Sequence, residues 1–266
     1  MKVISIRRYP VKSMMGEELN ACDITKKGLY GDRAYGVVDQ ETGKLANAKN
    51  PKKWPEMFRY HSTYIHPVTL SKEVPPVRIT LPNGEQIRSD DERVNERLSD
   101  SFNRNVSLQS PSSAAVKFEG YVPSEIEELE DRGSVFSRTS PSNTFFDIAH
   151  VHLISTNTLN TLRKLIPESR IEARRFRPNI IVDVPGEEGF VEESWIGKTL
   201  SIGEHLQLKI LQPTKRCVMT TLAQGDLPND INVLKTLVKE NNGHFGVYAE
   251  VVQTGHIKID DDITIQ

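Results

Sequence analysis

The sequence predicts a mainly β (α+β) protein of two modules, a β-barrel-like module over 1–110 and a β-barrel domain with a few short helices over 111–266. Three observations carry that expectation. Apolar stretches of strand length recur between Gly, Pro and Asn turn signals. Helical periodicity is confined to a few short segments, without the strand–helix alternation that a doubly wound parallel sheet requires. Between about 110 and 143 the chain turns polar, Pro/Ser-rich and acidic, which marks a boundary.

In chain order, Val3, Ile4 and Ile6 begin a strand. Tyr35 to Asp39 form another, followed by a hairpin loop at Gln40-Glu41-Thr42-Gly43-Lys44. Residues 77–88, VRITLPNGEQIR, are the clearest hairpin, because Asn83-Gly84 tolerates the positive φ of a tight turn. An amphipathic helix starts near Asp91, with Val94, Leu98 and Phe102 on one face. The tract from SPSSAAVKFEGYVPS through EIEELEDRGS to SRTSPSN reads as a solvated connection or lid, with an acidic docking surface as the alternative. The second half opens with a strand at Val151 to Ile154. A helix follows, capped by Ser155, lined by Leu159, Leu162, Leu165 and Ile166, and ended before Pro167. Strands are expected at Asn179 to Val184, Leu206 to Leu211 and Cys217 to Leu222. A helix over about 230–241 then leads to a strand at Phe245 to Val252 and a final pair of short strands.

With 34 basic against 36 acidic side chains the formal charge is −2, so no global field draws the chain to nucleic acid or to an anionic membrane. Anion binding must be local. No apolar run approaches the ~18 residues of a spanning helix, and the start MKVISIRRYP has too short an apolar run for a signal peptide. Cys22 and Cys217 lie far apart and form no disulfide framework, which suits a reduced, cytoplasmic setting.

The histidines never form HxxxH or HExxH and there is no CxxC, so no zinc site is expected. His150-Val151-His152 puts two rings on one side of a strand, a weak ligand signal beside the commoner hydrogen-bonded histidine. GxxxxGK[ST], GxGxxG and GxSxG are absent. Three basic-polar spots remain, each at a strand end: Tyr9-Pro10-Val11-Lys12-Ser13, Gly31-Asp32-Arg33 and Arg174 to Asn179. Such donors suit an anionic ligand, although each alone is more often a surface charge. Cys217 follows Arg216, and a guanidinium favours the thiolate of a group whose free pKa is ~8.5. On spacing alone, Cys217 stays open as a nucleophile, a soft metal ligand or a core residue.

Together these segments resemble a known family. Tyr9 to Ser13, Asp32-Arg33, STNTLNTL from Ser155, Arg175-Phe176-Arg177-Pro178-Asn179, Phe190 to Trp195, Arg216-Cys217 with Thr220-Thr221, and Phe245-Gly246-Val247-Tyr248 occur in the order of the MOSC family. The resemblance is to its two-module form, which includes the mitochondrial amidoxime-reducing component and bacterial relatives. It implies a molybdenum cofactor, a metal on a pyranopterin dithiolene, with Cys217 as catalytic residue and the protein's metal ligand. It implies that Lys12, Ser13 and Arg33 hold phosphate and pterin, together with Ser155, Arg175, Arg177, Asn179 and Arg216. Thr220 and Thr221 join them, with ordinary strand propensity as an equal explanation. The implied reaction reduces small N-hydroxylated compounds to amines or amidines. Its electrons come from a separate reductase or carrier, because two cysteines are too few for a cluster held by four thiolates. A cofactor or sulfur (persulfide) carrier, and a pterin-binding module without turnover, are the alternatives.

The chain also departs from the family pattern. Thr214 stands where C-x-R-C is common, TTLAQGDLPND leaves Asp226 without a role, and Asp260-Asp261 replaces a usual Gly-Asp. No Cys-rich ferredoxin-like module, such as some bacterial relatives carry, is expected before the close at Gln266.

Overall fold

Strand faces are set by alternation, and the first strand shows how a single irregularity redirects it. Val3 and Ile6 are both buried although three residues apart, because the pairing register shifts between Val3 and Ser5. A bulge of this kind turns the strand by one residue and leaves Ile4 facing solvent.

The computed structural model describes residues 1–70 and 73–266. The first half contains β1 (Lys2–Arg8), β2 (Glu17–Leu19), β3 (Ala21–Thr25), β4 (Gly28–Leu29), β5 (Gly36–Asp39), β6 (His61–Tyr64), β7 (Val77–Thr80), β8 (Gln86–Arg88), α1 (Val94–Phe102) and β9 (Val106–Gln109). After it come β10 (Lys117–Tyr121), β11 (Val135–Thr139), β12 (Val151–Ser155), α2 (Thr156–Leu165) and β13 (Ile180–Asp183). The chain closes with β14 (Thr199–Ile202), β15 (Leu206–Lys215), α3 (Asn232–Asn241), β16 (His244–Gln253), β17 (Gly255–Lys258) and β18 (Ile263–Ile265).

The protein is mainly β. Its largest sheet runs β18-β14-β15-β16-β12-β13-β1-β2. Smaller sheets are β17-β3-β4, β6-β7-β8, β5-β9 and the hairpin β10-β11. One core packs inside the large sheet around Trp195, and a second gathers Trp54, Phe58, Tyr60 and Ile79 of the first half. The chain crosses between the halves: β1 and β2 belong to the large sheet, and β3 pairs with β17.

Most expected elements are present, including the 77–88 hairpin with Gly84 at φ +87° and the helix whose Ser155 hydroxyl accepts from the Thr158 amide. Three details differ. Although no βαβ rhythm exists, one such unit does, since β12 and β13 lie parallel on either side of α2. The 110–143 tract, expected as a solvated connection or lid, contains an antiparallel hairpin of β10 with β11. Phe118 anchors it, fully buried against Val38, Leu45 and Phe145, while the acidic residues of 125–131, between the two strands, are exposed. Finally, the strand expected at Cys217 to Leu222 ends at Lys215 and gives way to a 3-10 turn over Val218–Thr221. The Thr220 and Thr221 hydroxyls donate to the carbonyls three residues back, at 3.0 and 2.8 Å. Such local bonds compete with a sheet ladder and here prevail.

Candidate active site

The segment from Ile6 to Met14 leaves one core and enters the other: Ile6 packs in the large-sheet core, Val11 and Met14 in the first-half core. Its crossing point carries Lys12 and Ser13. The second half reaches the same place twice. Arg177 donates to the Met14 carbonyl at 2.8 Å and lies 4.0 Å over the Tyr9 ring. Asn179 donates to the Asp32 carboxylate at 2.9 Å, and Asp32 also accepts from the Tyr9 amide and pairs with Arg33.

These bonds build one cleft, lined by Lys12, Ser13, Arg33, Arg177, Asn179, Arg216 and Cys217. Backbone strain converges on it. Among the described residues, the non-glycine positions with positive φ are Asn or Asp except three, Ser13, Arg33 and Arg177, at +65°, +50° and +54°. All three line the cleft. Residues other than Gly, Asn and Asp adopt this conformation at a cost, and such positions cluster at binding sites.

Cys217 is presented by the end of β15. Irregularities in the β15–β16 pairing after Ile210 and Pro213 loosen the ladder, and the Arg216 amide then donates to the Gly243 carbonyl at 2.7 Å. Cys217 follows as the first residue before the 3-10 turn, half-buried at the cleft wall. Met219 and Leu222 pack onto the first-half core, which fixes the turn against the opposite module.

The electrostatics are lopsided. Six cationic side chains (Lys12, Arg33, Lys49, Arg177, Lys215 and Arg216) line the cleft against the single carboxylate of Asp147. Asp147 bridges Lys12 at 2.7 Å and Lys49 at 2.8 Å. Burial lowers the Lys12 ammonium to about 8, against the opposing pull of Asp147. For Lys49 the carboxylate and its neighbours outweigh burial, and its pKa is raised. Asp147 itself is held well below the usual carboxylate range, because the two lysines overcome its burial. Burial pushes Arg177 down to about 10. His152 faces the cleft with Nε2 3.4 Å from an Arg216 nitrogen, which can only donate. Its proton therefore sits on Nδ1, 3.3 Å from the Arg177 carbonyl. Burial and Arg216 hold His152 neutral, well below its ordinary range. Gly246 is required beside it, since a Cβ there would lie 2.6 Å from Nε2.

The remaining expected residues stand behind the wall rather than in it. Ser155 is spent on capping α2 and on the buried Glu192, 2.7 Å away. Arg175, fully buried, donates to the carbonyls of Arg170, Thr220, Leu222 and Pro228 and so ties down the loop after Cys217. Thr220 and Thr221 shape the turn. Asp226 is exposed and paired with Arg170 and Arg174. The turn at Asp260-Asp261 is stitched to Val3 by two backbone bonds. Sequence reading passed over Asn47, Lys49 and Asp147, and left Tyr248 without a role, although all line the cleft. Asn47 and Lys49 sit in ANAKNPKKW, where nothing local separates them from surface residues.

The donor set fits a molybdenum–pterin cofactor. Among the described residues no group of three or more His, Cys, Asp or Glu could hold a metal ion. A metal at Cys217 must then bring most of its own donors, as a dithiolene does. The buried Arg216 Nε lacks a hydrogen-bond partner within the protein, and an anionic ligand would supply one.

Comparisons agree with this architecture. The family model of the MOSC N-terminal beta barrel domain matches residues 1–117, and that of the MOSC domain matches 141–264. Mitochondrial amidoxime-reducing component 1 of Mus musculus is 26% identical over 80% of this chain, which spans 63% of that protein's length. The Xenopus laevis protein of the same name is 25% identical over 96% of the chain and 79% of its own. Human molybdenum cofactor sulfurase is 24% identical over 92% of the chain but only 29% of its own length. In fold, the YUAD protein from Bacillus subtilis superposes with a TM-score of 0.50 at 12% identity, covering 99% of this chain and 94% of that one. No helix among the described residues is long and apolar enough to cross a membrane. With both modules matched in order around a shared cleft, the chain belongs to the MOSC family in its two-module form.

Proposed function

We propose that the protein binds a molybdenum cofactor in this cleft and uses it to reduce small N-hydroxylated compounds to amines or amidines and water. The observation that carries the reading is the position of Cys217, a thiol at one wall of a cationic cleft whose other wall belongs to the opposite module. The bound cofactor would supply two-electron redox chemistry, and the protein supplies ligation, orientation and electrostatics. Cys217 would be the protein's own ligand to the metal. Lys12, Ser13 and Arg33 would hold the phosphate end, while Arg177, Asn179 and Arg216 close the cleft from the second half. His152, neutral, offers an accepting nitrogen to Arg216 and keeps that guanidinium turned toward the cleft.

The electrons would come from a separate reductase or carrier protein. Purified protein should contain molybdenum and reduce an N-hydroxylated amidine with a chemical reductant or an added reductase. With NADH alone it should be inactive. Molybdenum-loaded protein that fails with every electron source contradicts the reading. A second reading rests on the likeness to the cofactor sulfurase: Cys217 as a persulfide carrier. Cyanide-labile sulfur on Cys217 without bound molybdenum would select it.

A further inference from the structure

We propose that Asp147 is a built-in counter-ion that occupies the cleft's anion seat and is displaced when a phosphate-bearing ligand enters. The inference rests on the cofactor reading for the identity of the ligand, but its geometry stands alone. The two carboxylate oxygens of Asp147 each take one lysine, Lys12 at 2.7 Å and Lys49 at 2.8 Å. A phosphate bridges two ammonium groups with two oxygens in the same way. The lysines come from the first half, near the strained Ser13, whereas Asp147 comes from an irregular segment outside the strand ladders.

That segment has a pivot. Phe145 and Phe146 are buried and fix its base, whereas Ile148, immediately after Asp147, is 45% exposed. Rotation between Phe146 and Ile148 takes the carboxylate to solvent without disturbing a core side chain. Lys12 also donates to the Phe145 carbonyl, so it stays anchored when Asp147 leaves.

The carboxylate holds two largely buried cations side by side in the unliganded protein, where their mutual repulsion would otherwise be costly. The same contact competes with the ligand. Measured affinity is the intrinsic affinity reduced by the fraction of molecules whose seat is open. Lys49 thereby becomes a ligand-binding residue, one that its sequence surroundings do not single out.

The test uses the full chain free of cofactor, with inorganic phosphate as probe, by calorimetry at pH 7 and constant ionic strength. Asp147→Asn should bind phosphate about tenfold or more tightly than wild type, as removal of the competitor abolishes the closed fraction. It should melt lower without phosphate and gain more from it. Equal or weaker binding by Asp147→Asn overturns the proposal, since a carboxylate that merely positions the lysines would be missed by the ligand. Should that variant not fold, hydrogen exchange on the wild-type protein decides the matter instead. Saturating phosphate should speed exchange over residues 145–149, and unchanged or slower exchange there overturns the idea. No arm involves metal or turnover, so a protein that reduced nothing could still pass, and a working reductase could still fail.

Discussion

At the scale of single residues, Lys12 should make the affinity of the cleft for an anion depend on pH. In the unliganded protein burial lowers its ammonium from an ordinary 10.5 to about 8. An anion seated on it favours the charged form and raises that value, so above about pH 8 binding takes up a proton and affinity falls. The slope approaches tenfold per pH unit. Below pH 8 this residue contributes no pH dependence. Stability moves the other way: between about 8 and 10.5 the unfolded chain holds the extra proton, so the unliganded fold gains stability as pH rises. Phosphate titrations from pH 7 to 10 on wild type and Lys12→Met check this, with the slope above 8 expected only in wild type. Residue reading of the sequence found Lys12, Arg33, Arg177 and Cys217 but passed over Asp147. A lone aspartate in FFDIAH has no local signature. Its role exists only because Lys12 and Lys49, about a hundred or more residues earlier, fold against it.

At the scale of elements, the turn that presents Cys217 is held from behind by Arg175. Its guanidinium satisfies carbonyls of Thr220, Leu222 and Pro228 from a site with no solvent. Arg175→Met should cost about 3 kcal/mol, because several buried carbonyls lose their partner. The displaced loop should also release the cofactor, although Arg175 does not line the cleft. Thermal melting and metal content of the same preparation measure both effects, and a variant that melts normally removes the tie. Alternation and turn chemistry made most strands, the 77–88 hairpin and the Ser155 cap legible. They failed at 217–222, where Thr-Thr reads as β propensity yet both hydroxyls fold back on carbonyls of their own turn. They were silent at 110–143, where the polar majority of the tract hid the buried Phe118, Tyr121 and Ile126.

At the scale of the whole molecule, the site exists because neither half is self-contained. β1 and β2 complete the large sheet of the second half, and the chain between them crosses into the first-half core with Lys12 at the crossing. This topology also decides which variant probes the interface. Arg33 is the buried partner of Asp32, whose side chain has no exposure, so its removal strands a carboxylate and lowers stability. Lys12→Met is the cleaner change, since Asp147 keeps Lys49. It should purify with at least tenfold weaker cofactor retention, on the loss of charge-assisted bonds of roughly 1.5–3 kcal/mol each. Its melting temperature should stay near that of wild type. Composition marked the polar tract at 110–143, but the exchange of strands between the halves was not legible, because pairings such as β3 with β17 join the two ends of the chain.

X-ray absorption at the molybdenum edge reads out whether Cys217 is, as proposed, the protein's ligand to a molybdenum centre held between the two halves. Wild type, Cys217→Ala and Cys22→Ala should be purified from the same host. Wild type and Cys22→Ala should give the same spectrum, as Cys22 is a buried strand residue that does not line the cleft. Cys217→Ala should show one sulfur ligand fewer, or no molybdenum at all. An unchanged sulfur shell in Cys217→Ala would contradict the account.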